Sequence, residues 1–358
     1  MRKGASNEES LAGGYASGDT PKMVDPGAGE GLDGPGTGVR GRRSLAAVVD
    51  RLRSVAVFVI FGGLVVVFTV KAPGRFLTVG NLQTILENSV VLTLAAVGLT
   101  LVLVLGQFDL SFSAVIGLSG AVAVSLMHSY HAGFFEAVIA ALCVGLVIGL
   151  INGLMVGYAR VAAFIATLAV GSAATGVEEA LMHQNTVYGG MAKSYINLTQ
   201  GKIDGVAIEV IIILAAVVVV SLWLGFTVSG RRLYAVGSNE GAARLAGVKT
   251  RRVIVLGFVV LGLFGALAGV MVTSQAQSYY PGSGTPFLLP AYTAAFLGFS
   301  AIGGRRFHPA ATFFGVLFIE VLSTGLTMLN SPPWSTDLAQ GVALGVAVLL
   351  VRRSSVAQ

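Results

Sequence analysis

Chemistry in this sequence would have to come from ionisable residues that stand among apolar ones. Asp109 lies between two long apolar stretches, and Glu320 lies in the middle of another. A charge in such surroundings is costly, so each residue is a candidate functional site. The Asp109 carboxylate can accept from the backbone N–H groups of Ser111 and Phe112, which makes it either a cap that holds a helix break or a direct ligand contact. Glu320 must face protein or a water-filled route, so a structural role and a pathway role are both open.

The sequence contains no pattern for ATP hydrolysis or metal binding. It has no Gly-x4-Gly-Lys-Ser/Thr run, and its one Gly-Lys pair, Gly201-Lys202, is followed by Ile203. His128 and His131 flank a short connection and are expected to be surface residues rather than metal ligands. We therefore expect a protein that is not an enzyme and binds no metal or cofactor itself. If ATP drives its function, a separate polypeptide must bind and hydrolyse it.

Three further glutamates lie near the ends of apolar stretches. Glu178 and Glu179 follow one stretch, and Glu209 lies near the start of the next. At the end of a membrane helix a carboxylate can reach water, so we expect all three at an interface. The single cysteine, Cys143, excludes an intrachain disulfide and lies within an apolar run, where a buried, inert thiol is expected.

The composition is that of a membrane protein. Of 358 residues, 54% are hydrophobic and only 11% are charged, and the mean hydropathy is +0.82. A soluble domain carries about 25% charged residues. Ten apolar segments are long enough, or nearly so, to cross a hydrocarbon core of about 30 Å, and they must be helices because an open strand in lipid would leave its backbone unpaired. The sequence therefore predicts an all-α polytopic membrane protein with about ten transmembrane helices. The segments are Val55 to Val70, Asn88 to Leu105, Leu110 to Met127, Phe134 to Val156, Val161 to Leu181, Val206 to Thr227, Val253 to Thr273, Phe287 to Ile302, Ala310 to Leu329, and Leu338 to Val351.

Residues 1–43 differ from the rest of the chain. They contain 11 glycines and almost no branched apolar residues, so they are expected to form a disordered tail. They are not expected to be a secretory signal, because Lys71-Ala72-Pro73 rather than a small-residue cleavage site follows the first apolar segment. Residues 44–353 are then the transmembrane domain.

Lysine and arginine are distributed unevenly between the connections. With the N-terminus in the cytoplasm, 19 of the 23 basic residues fall on the cytoplasmic side and four fall outside, namely Lys71, Arg75, Lys193 and Lys202. Cytoplasmic loops of membrane proteins collect basic residues, so both termini are predicted to be cytoplasmic. Topology thereby explains the net charge of +6, and nucleic-acid binding is not expected.

The order of the segments favours an internal repeat. Segments two to five and seven to ten form two groups of four that run in opposite directions, as in transporters built from inverted repeats. Each group has a glycine-containing break, Gly106-Gln107-Phe108-Asp109 in one and Gly303-Gly304-Arg305-Arg306 in the other. Small residues at helical spacing are predicted to let helices pack closely. These are Gly145, Gly149, Gly153, Gly157, Gly262, Gly265 and Gly269.

The longest internal polar connection, residues 229–252, carries signals for a short helix. Ser238 or Asn239 can cap it, Glu240 stands in its first turn, Arg244 follows four residues later, and Gly247 is suited to end it. Such a helix gives a partner protein something rigid to push. The alternative is an ordinary solvated surface helix.

The same connection resembles a known family. The run from Gly230 to Gly247 is similar to the coupling-loop signature of the ribose/xylose-type ABC transporter permeases. Two earlier blocks agree: Leu105 to Ser111 is similar to the family's Gly-Gly-Ile-Asp-Leu-Ser segment, and Asn152-Gly153 followed by Ala163 to Leu168 is similar to its Asn-Gly and Pro-Phe-Ile-x-Thr-Leu segment. With Ala268-Gly269 and Gly303-Gly304, the resemblance covers about Asn81 to Val351.

The resemblance implies a permease of the bacterial cytoplasmic membrane that works as a dimer in the lipid bilayer. Its cytoplasmic loops would dock on an ABC ATPase subunit that binds the ATP, its outer face would receive a solute-binding protein, and its substrate would be a monosaccharide. The residues implied in ATPase coupling, within residues 229–252, are Gly237, Asn239, Glu240, Ala243, Arg244 and Gly247. The residues expected along the translocation pathway are Phe108, Asp109, Ser111, Phe164, Thr167 and Glu320.

The sequence departs from the family pattern at three places that bear on the substrate. Leu288-Leu289 stands where the family has Glu-Leu, Gln107 stands for the second glycine of Gly-Gly-Ile-Asp, and Ala163 stands for the proline before Phe164. A different small polar solute, such as a nucleoside or an amino acid, is therefore an alternative. An ion-coupled secondary transporter is a second alternative, but it predicts paired acidic residues near the midplane and only Glu320 is clearly central. A passive channel is disfavoured because no filter motif is visible.

Overall fold

Thirteen α-helices account for most of the residues that the computed structural model describes, which are residues 55–302 and 306–355. The predicted tail, residues 1–43, and the second glycine break at Gly303 to Arg305 lie outside these ranges. The helices are α1 Val55–Lys71, α2 Val79–Val104, α3 Phe112–Tyr130, α4 Phe134–Gly157, α5 Ala163–Met182, α6 Lys193–Gln200, α7 Ile208–Phe226, α8 Val228–Ser238, α9 Glu240–Leu245, α10 Thr250–Ala276, α11 Leu288–Ala301, α12 Pro309–Met328 and α13 Pro333–Ser355. Short strands β1 Val187–Tyr188 and β4 Ser278–Tyr279 pair antiparallel, as do β2 Lys202–Ile203 and β3 Val206–Ala207, and a 3-10 turn, Thr285–Phe287, precedes α11.

Seven of the described helices are long and apolar enough to cross a membrane, which does not confirm the prediction of about ten spans. The seven are α2, α3, α4, α5, α7, α10 and α12. Three further predicted segments are helical but fall short of this standard. The α11 helix has 14 residues and is therefore about 21 Å long, less than the hydrocarbon core. The α1 helix has 17 residues, and α13, with 23 residues, is not among the seven.

The α2 helix is the centre of the described part of the chain. Every residue from Ser89 to Val104 is buried, and α7, α10, α11 and α12 pack around it. A hydrogen bond of 2.7 Å between the hydroxyls of Thr100 and Thr312 joins α2 to α12. By contrast, most of the surface of α4, α5 and α7 is not covered by the other described residues. These three helices are left to face lipid or another protein.

The helices α4 and α10 make backbone contact along a row of glycines, at positions where the sequence predicted close packing without naming the pair. A Cβ atom on Gly153 would lie 2.8 Å from the Cα of Val255, and one on Gly145 would collide with the carbonyl of Gly262. At the end of the row, a Cβ on Gly157 would lie 3.0 Å from the carbonyl oxygen of Arg251. Only small residues allow two helices to approach so closely, so α4 and α10 form one packed pair.

Two of the glutamates that were expected to reach water are buried instead. Glu178 accepts hydrogen bonds from the hydroxyl of Tyr279 at 2.8 Å and from the N–H of Gly282 at 3.2 Å. Glu209 accepts from the amide of Gln275 at 2.7 Å. The prediction was wrong because the end of α10 covers Glu209 and the segment after α10 covers Glu178. Glu179 is exposed, as expected.

Cys143 is exposed rather than buried. It lies on α4, whose glycine row is turned towards α10. The rest of the α4 surface is largely uncovered, so an apolar run here did not mean burial within the chain.

Candidate functional site

The connection between α2 and α3 is a tight break in the middle of apolar structure. The chain leaves α2 through Gly106, whose φ of +71° lies in the left-handed region that glycine adopts without strain. The N–H of Gly106 then donates to the carbonyl of Leu103, and the N–H of Gln107 donates to that of Val102. This closes the end of α2 and directs residues 107–111 back into the bundle.

Asp109 caps the start of α3, as its position in the sequence predicted. One carboxylate oxygen accepts from the N–H of Ser111 at 2.6 Å, from the hydroxyl of Ser111 at 2.7 Å and from the N–H of Phe112 at 3.1 Å. The side chain is only 2% exposed. The cap supplies the acceptors that the first turn of a helix lacks, so Asp109 holds the break in place.

Three other helices also hold the break. The amide of Asn152 on α4 donates to the hydroxyl of Ser111 at 2.7 Å. The N–H of Leu110 donates to the hydroxyl of Thr167 on α5 at 3.1 Å. The hydroxyl of Tyr292 on α11 donates to the carbonyl of Asp109 at 2.8 Å and accepts from its N–H at 3.0 Å. We call these residues together with Asp109 the Asp109 cluster.

Sequence reasoning missed two members of this cluster. Asn152 carried a signal, because an amide within an apolar run needs a partner, but no role was assigned to it. Tyr292 carried none, because it lies 183 residues from Asp109 in an apolar helix. The space around the carboxylate, lined by residues such as Asn152, Phe258 and Leu261, has no room for a water molecule.

The two aromatic residues predicted along the pathway lie at the edge of this cluster and face out of the chain. Phe108 is 47% exposed and stacks on Tyr292 with ring centroids 6.0 Å apart. Phe164, one turn before Thr167, is 56% exposed. The exposed rings of Phe108 and Phe164 therefore flank the buried Asp109 cluster.

Glu320 is not part of the Asp109 cluster. It is partly buried on α12, and within the described ranges it forms no hydrogen bond or ion pair. Its predicted role in the pathway stays a prediction.

Residues 229–252 contain the short helix that the sequence predicted. Asn239 accepts from the N–H of Ala242 at 2.9 Å and so caps α9, and Gly247, with a φ of +81°, follows its end. Ala243 is buried, so this side of α9 packs on the bundle. A second helix, α8, was not predicted. At Gly237 it lies directly against the carbonyl of Val104, where a Cβ would collide.

Glu240 connects α9 to two other elements. One carboxylate oxygen accepts from the guanidinium of Arg160 at 2.7 Å and from the hydroxyl of Thr250 at 3.0 Å, and the guanidinium of Arg244 lies 3.5 Å away. The sequence predicted only the Arg244 pair, because the other partners lie outside the helix. Arg160, Arg244, Lys249, Arg251 and Arg252 surround a basic cavity of about 360 Å³.

The Arg160 guanidinium is the main cause of a lowered pKa at Glu240, with further contributions from Thr250 and Arg244. The folded-state pKa lies below the ordinary value of 4.5, so the stabilising contribution is present above that value. It is lost only as the pH falls through the lowered pKa. The group of contacts on Glu240 is therefore fully formed near neutral pH.

Comparison with known proteins shows the family in which the helix break and residues 229–252 occur. A family model described as "Branched-chain amino acid transport system / permease component" matches residues 81–350, which include both the helix break and residues 229–252. The chain belongs to this permease family. The permease is 33% identical over 293 residues to the ribose import permease protein of Bacillus subtilis (strain 168), covering 82% of this chain and 90% of that one. It is 29% identical over 297 residues to the D-allose transport system permease protein of Escherichia coli (strain K12), with 82% and 90% covered. It is 31% identical over 296 residues to the autoinducer 2 import system permease protein of Enterobacter sp. (strain 638), with 82% and 84% covered. No solved structure matches it.

The family and the seven apolar helices make this permease a multi-pass membrane protein and a transport subunit rather than an enzyme. Among its described residues, no group of three or more His, Cys, Asp or Glu side chains is placed to hold a metal ion. The Asp109 cluster and α9 are two places in the described part of the permease where polar side chains from several elements meet.

Replacing Tyr292 of the permease by Phe is expected to lower its free energy of unfolding by about 1–3 kcal/mol. The change removes the hydroxyl that pairs with both backbone groups of Asp109 and leaves them buried without a partner. Thermal unfolding of the detergent-solubilised protein would measure the loss. Tyr130→Phe at an exposed position is the matched control, and equal melting temperatures for the two variants would contradict the role given to Tyr292.

Proposed function

We propose that this permease is the membrane subunit of an ATP-driven importer that carries a monosaccharide across the cytoplasmic membrane. The names of its relatives, a ribose permease and a D-allose permease matched over most of their length, support a sugar as the substrate. The sequence has no ATP-binding motif of its own, so a separate ATPase subunit would supply the energy. A solute-binding protein would deliver the sugar to the outer face.

The observation that carries the ATPase partner is the exposed side of α9. Leu245 is 92% exposed although it stands in a short, capped helix whose other side packs on the bundle through Ala243. Gly241 and Ala246 beside it are small and also exposed. A fully exposed leucine on a firmly held helix is suited to enter a pocket of a partner, because burial there would remove its apolar side chain from water.

Replacing Leu245 by Glu is expected to reduce recovery of the ATPase with the tagged permease by at least about tenfold, because a charge would enter the partner's apolar pocket. Quantitative mass spectrometry of the complex captured from its native membrane measures this. Ile203→Glu, an exposed apolar position in the hairpin β2–β3, is the matched control. Normal recovery of the ATPase with the Leu245 variant would rule out α9 as the docking element.

The pathway is proposed to form between two copies of the permease. The largely uncovered surface of α5 carries Phe164, and the exposed Phe108 lies two residues before Leu110, whose N–H donates to Thr167 of this helix. An aromatic face can pack on the C–H face of a sugar, so the two rings would offer weak contacts that allow release. Alternating access would open and close this route as the ATPase dimer closes and reopens, with both termini of each permease copy in the cytoplasm.

The substrate is tested by reconstituting the permease with its ATPase and binding protein in vesicles. ATP-dependent uptake of a labelled pentose or hexose is expected. Uptake of a non-sugar solute instead would favour the alternative that the autoinducer 2 relative suggests, a permease for another small polar molecule. If no ATPase accompanies the permease and an ion gradient alone drives uptake, the importer proposal fails and Glu320→Gln becomes the test of ion coupling.

A further inference from the structure

We propose that Arg160 is a positioning residue for energy coupling. It binds Glu240 and so fixes α9 to the end of the α4–α10 pair. This helix pair then transmits a displacement of α9 to the Asp109 cluster. This inference rests on the proposed function, because it assumes that an ATPase moves α9. Arg160 lies outside residues 229–252 and is not among the residues that the family resemblance implies in ATPase coupling.

Glu240 is the point at which three separate elements meet. Its carboxylate stands in the first turn of α9, Arg160 lies in the connection between α4 and α5, and Thr250 is the first residue of α10. Arg160 and Thr250 donate to the same oxygen, at 2.7 Å and 3.0 Å. The α9 helix has only six residues, so such contacts, rather than its own hydrogen bonds, must fix its direction.

The contact from Arg160 differs from that of Arg244. Arg244 is 3.5 Å from the carboxylate, belongs to the same helix and is well exposed, so the pair adds little to the position of α9. Arg160 is closer and comes from another part of the chain. Among the described residues, this is the side-chain hydrogen bond that ties α9 to the connection that leads into α5.

The backbone at Arg160 gives independent support. Its φ of +59° lies in the left-handed region that side chains other than glycine and asparagine rarely adopt. A strained residue persists when its surroundings require it, and such residues are frequent at functional sites. Glycine would fit this conformation better, so the arginine is retained there at a cost in backbone strain.

The α4–α10 pair continues from Arg160 to the helix break. Gly157, Gly153 and Gly149 bring the two backbones into contact along their length. Asn152, on the same stretch of α4, donates to Ser111 in the Asp109 cluster. Because the glycine row leaves no loose layer of side chains between the helices, a push on α9 would move both helices and the break together.

The test uses the complete transporter, with ATPase and binding protein, in vesicles, and measures uptake and ATP hydrolysis in the same preparation. Arg160→Gly keeps the backbone conformation favourable while removing the side chain. It is expected to leave ATPase recovery and hydrolysis within about twofold of the unaltered protein, while sugar uptake per ATP falls roughly tenfold. Arg232→Gln, which removes an exposed charge from α8, is the control for charge loss and is expected to change neither quantity.

Charge exchange tests the pair itself. Arg160→Glu alone is expected to lower uptake per ATP at least as much as Arg160→Gly, and Arg160→Glu combined with Glu240→Arg is expected to recover part of it. Unchanged uptake per ATP in Arg160→Gly would overturn the proposal. Loss of ATPase recovery together with uptake would also overturn it, because Arg160 would then serve assembly rather than transmission. Failure of the proposed function looks different, since the unaltered permease would itself bind no ATPase.

Discussion

Replacement of Asp109 by Ala is expected to destabilise the permease by about 2–6 kcal/mol and to abolish uptake. The carboxylate is the acceptor for the N–H groups of Ser111 and Phe112, and the side chain of Ser111 does not cap α3 in its place. Both N–H groups would be left buried without a partner, and each such group costs about 1–3 kcal/mol. Thermal unfolding in detergent and uptake in vesicles measure the two effects.

Asp109→Asn is the informative companion to this variant. Its amide oxygen can still accept from both N–H groups, so most of the stability is expected to return. Uptake by the Asn variant then separates the two roles that the sequence left open. Recovery of uptake identifies Asp109 as a cap, and a stable but inactive protein identifies a need for its charge. An Asp109→Ala protein as stable as the unaltered one would show that the cap is dispensable.

The second large effect is expected from Gly145→Val, which should lower the free energy of unfolding by about 3 kcal/mol. The added side chain would collide with the carbonyl of Gly262 on α10, and backbone atoms cannot move aside as a flexible side chain can. The α4 and α10 helices would have to separate along their contact. The melting temperature in detergent and the yield of folded protein report the change.

Gly225→Val is the matched control for this prediction. Gly225 lies on α7, where a Cβ atom would meet nothing within 4 Å. Both substitutions place the same β-branched residue in an apolar helix, so they differ only in what the new side chain touches. If the two variants unfold at the same temperature, the close contact between α4 and α10 does not contribute to stability.

Local features were predictable from the sequence because their causes lie within a few residues. The cap at Asp109 acts on Ser111 and Phe112, and Asn239 and Gly247 bound α9 through contacts within the same segment. Capping residues and glycines have few alternative uses in such positions, so the residue type alone was informative.

Contacts between distant parts of the chain could not be predicted in this way. Arg160 lies 80 residues from Glu240, and Tyr292 lies 183 residues from Asp109. Each of these residues is common in its own local setting, an exposed connection for the arginine and an apolar helix for the tyrosine. Their roles depend on the packing of α4, α10 and α11, which one sequence does not reveal.

The predicted number of about ten spans was not confirmed for a related reason. An apolar stretch indicates that its side chains are removed from water. Burial in lipid and burial in the protein interior both achieve this. The α11 helix is apolar because it is enclosed by neighbouring helices, with residues such as Ala291, Thr293 and Ala294 fully buried, although it is too short to cross a bilayer. Hydropathy alone could not distinguish these two cases.

The enclosed position of α2 has a consequence for the biogenesis of the permease. Its neighbours α10, α11 and α12 are synthesised more than 140 residues after its end at Val104, so α2 must enter the membrane before its partners exist. During that interval its polar side chains can form hydrogen bonds within the helix. The hydroxyl of Thr100, for example, donates to the carbonyl of Ala96 at 2.8 Å. The bond between Thr100 and Thr312 then forms only when α12 arrives. Closure of the protein core is therefore one of the last steps of synthesis, and nascent chains that stop before α10 would leave α2 dependent on lipid or on insertion factors for cover.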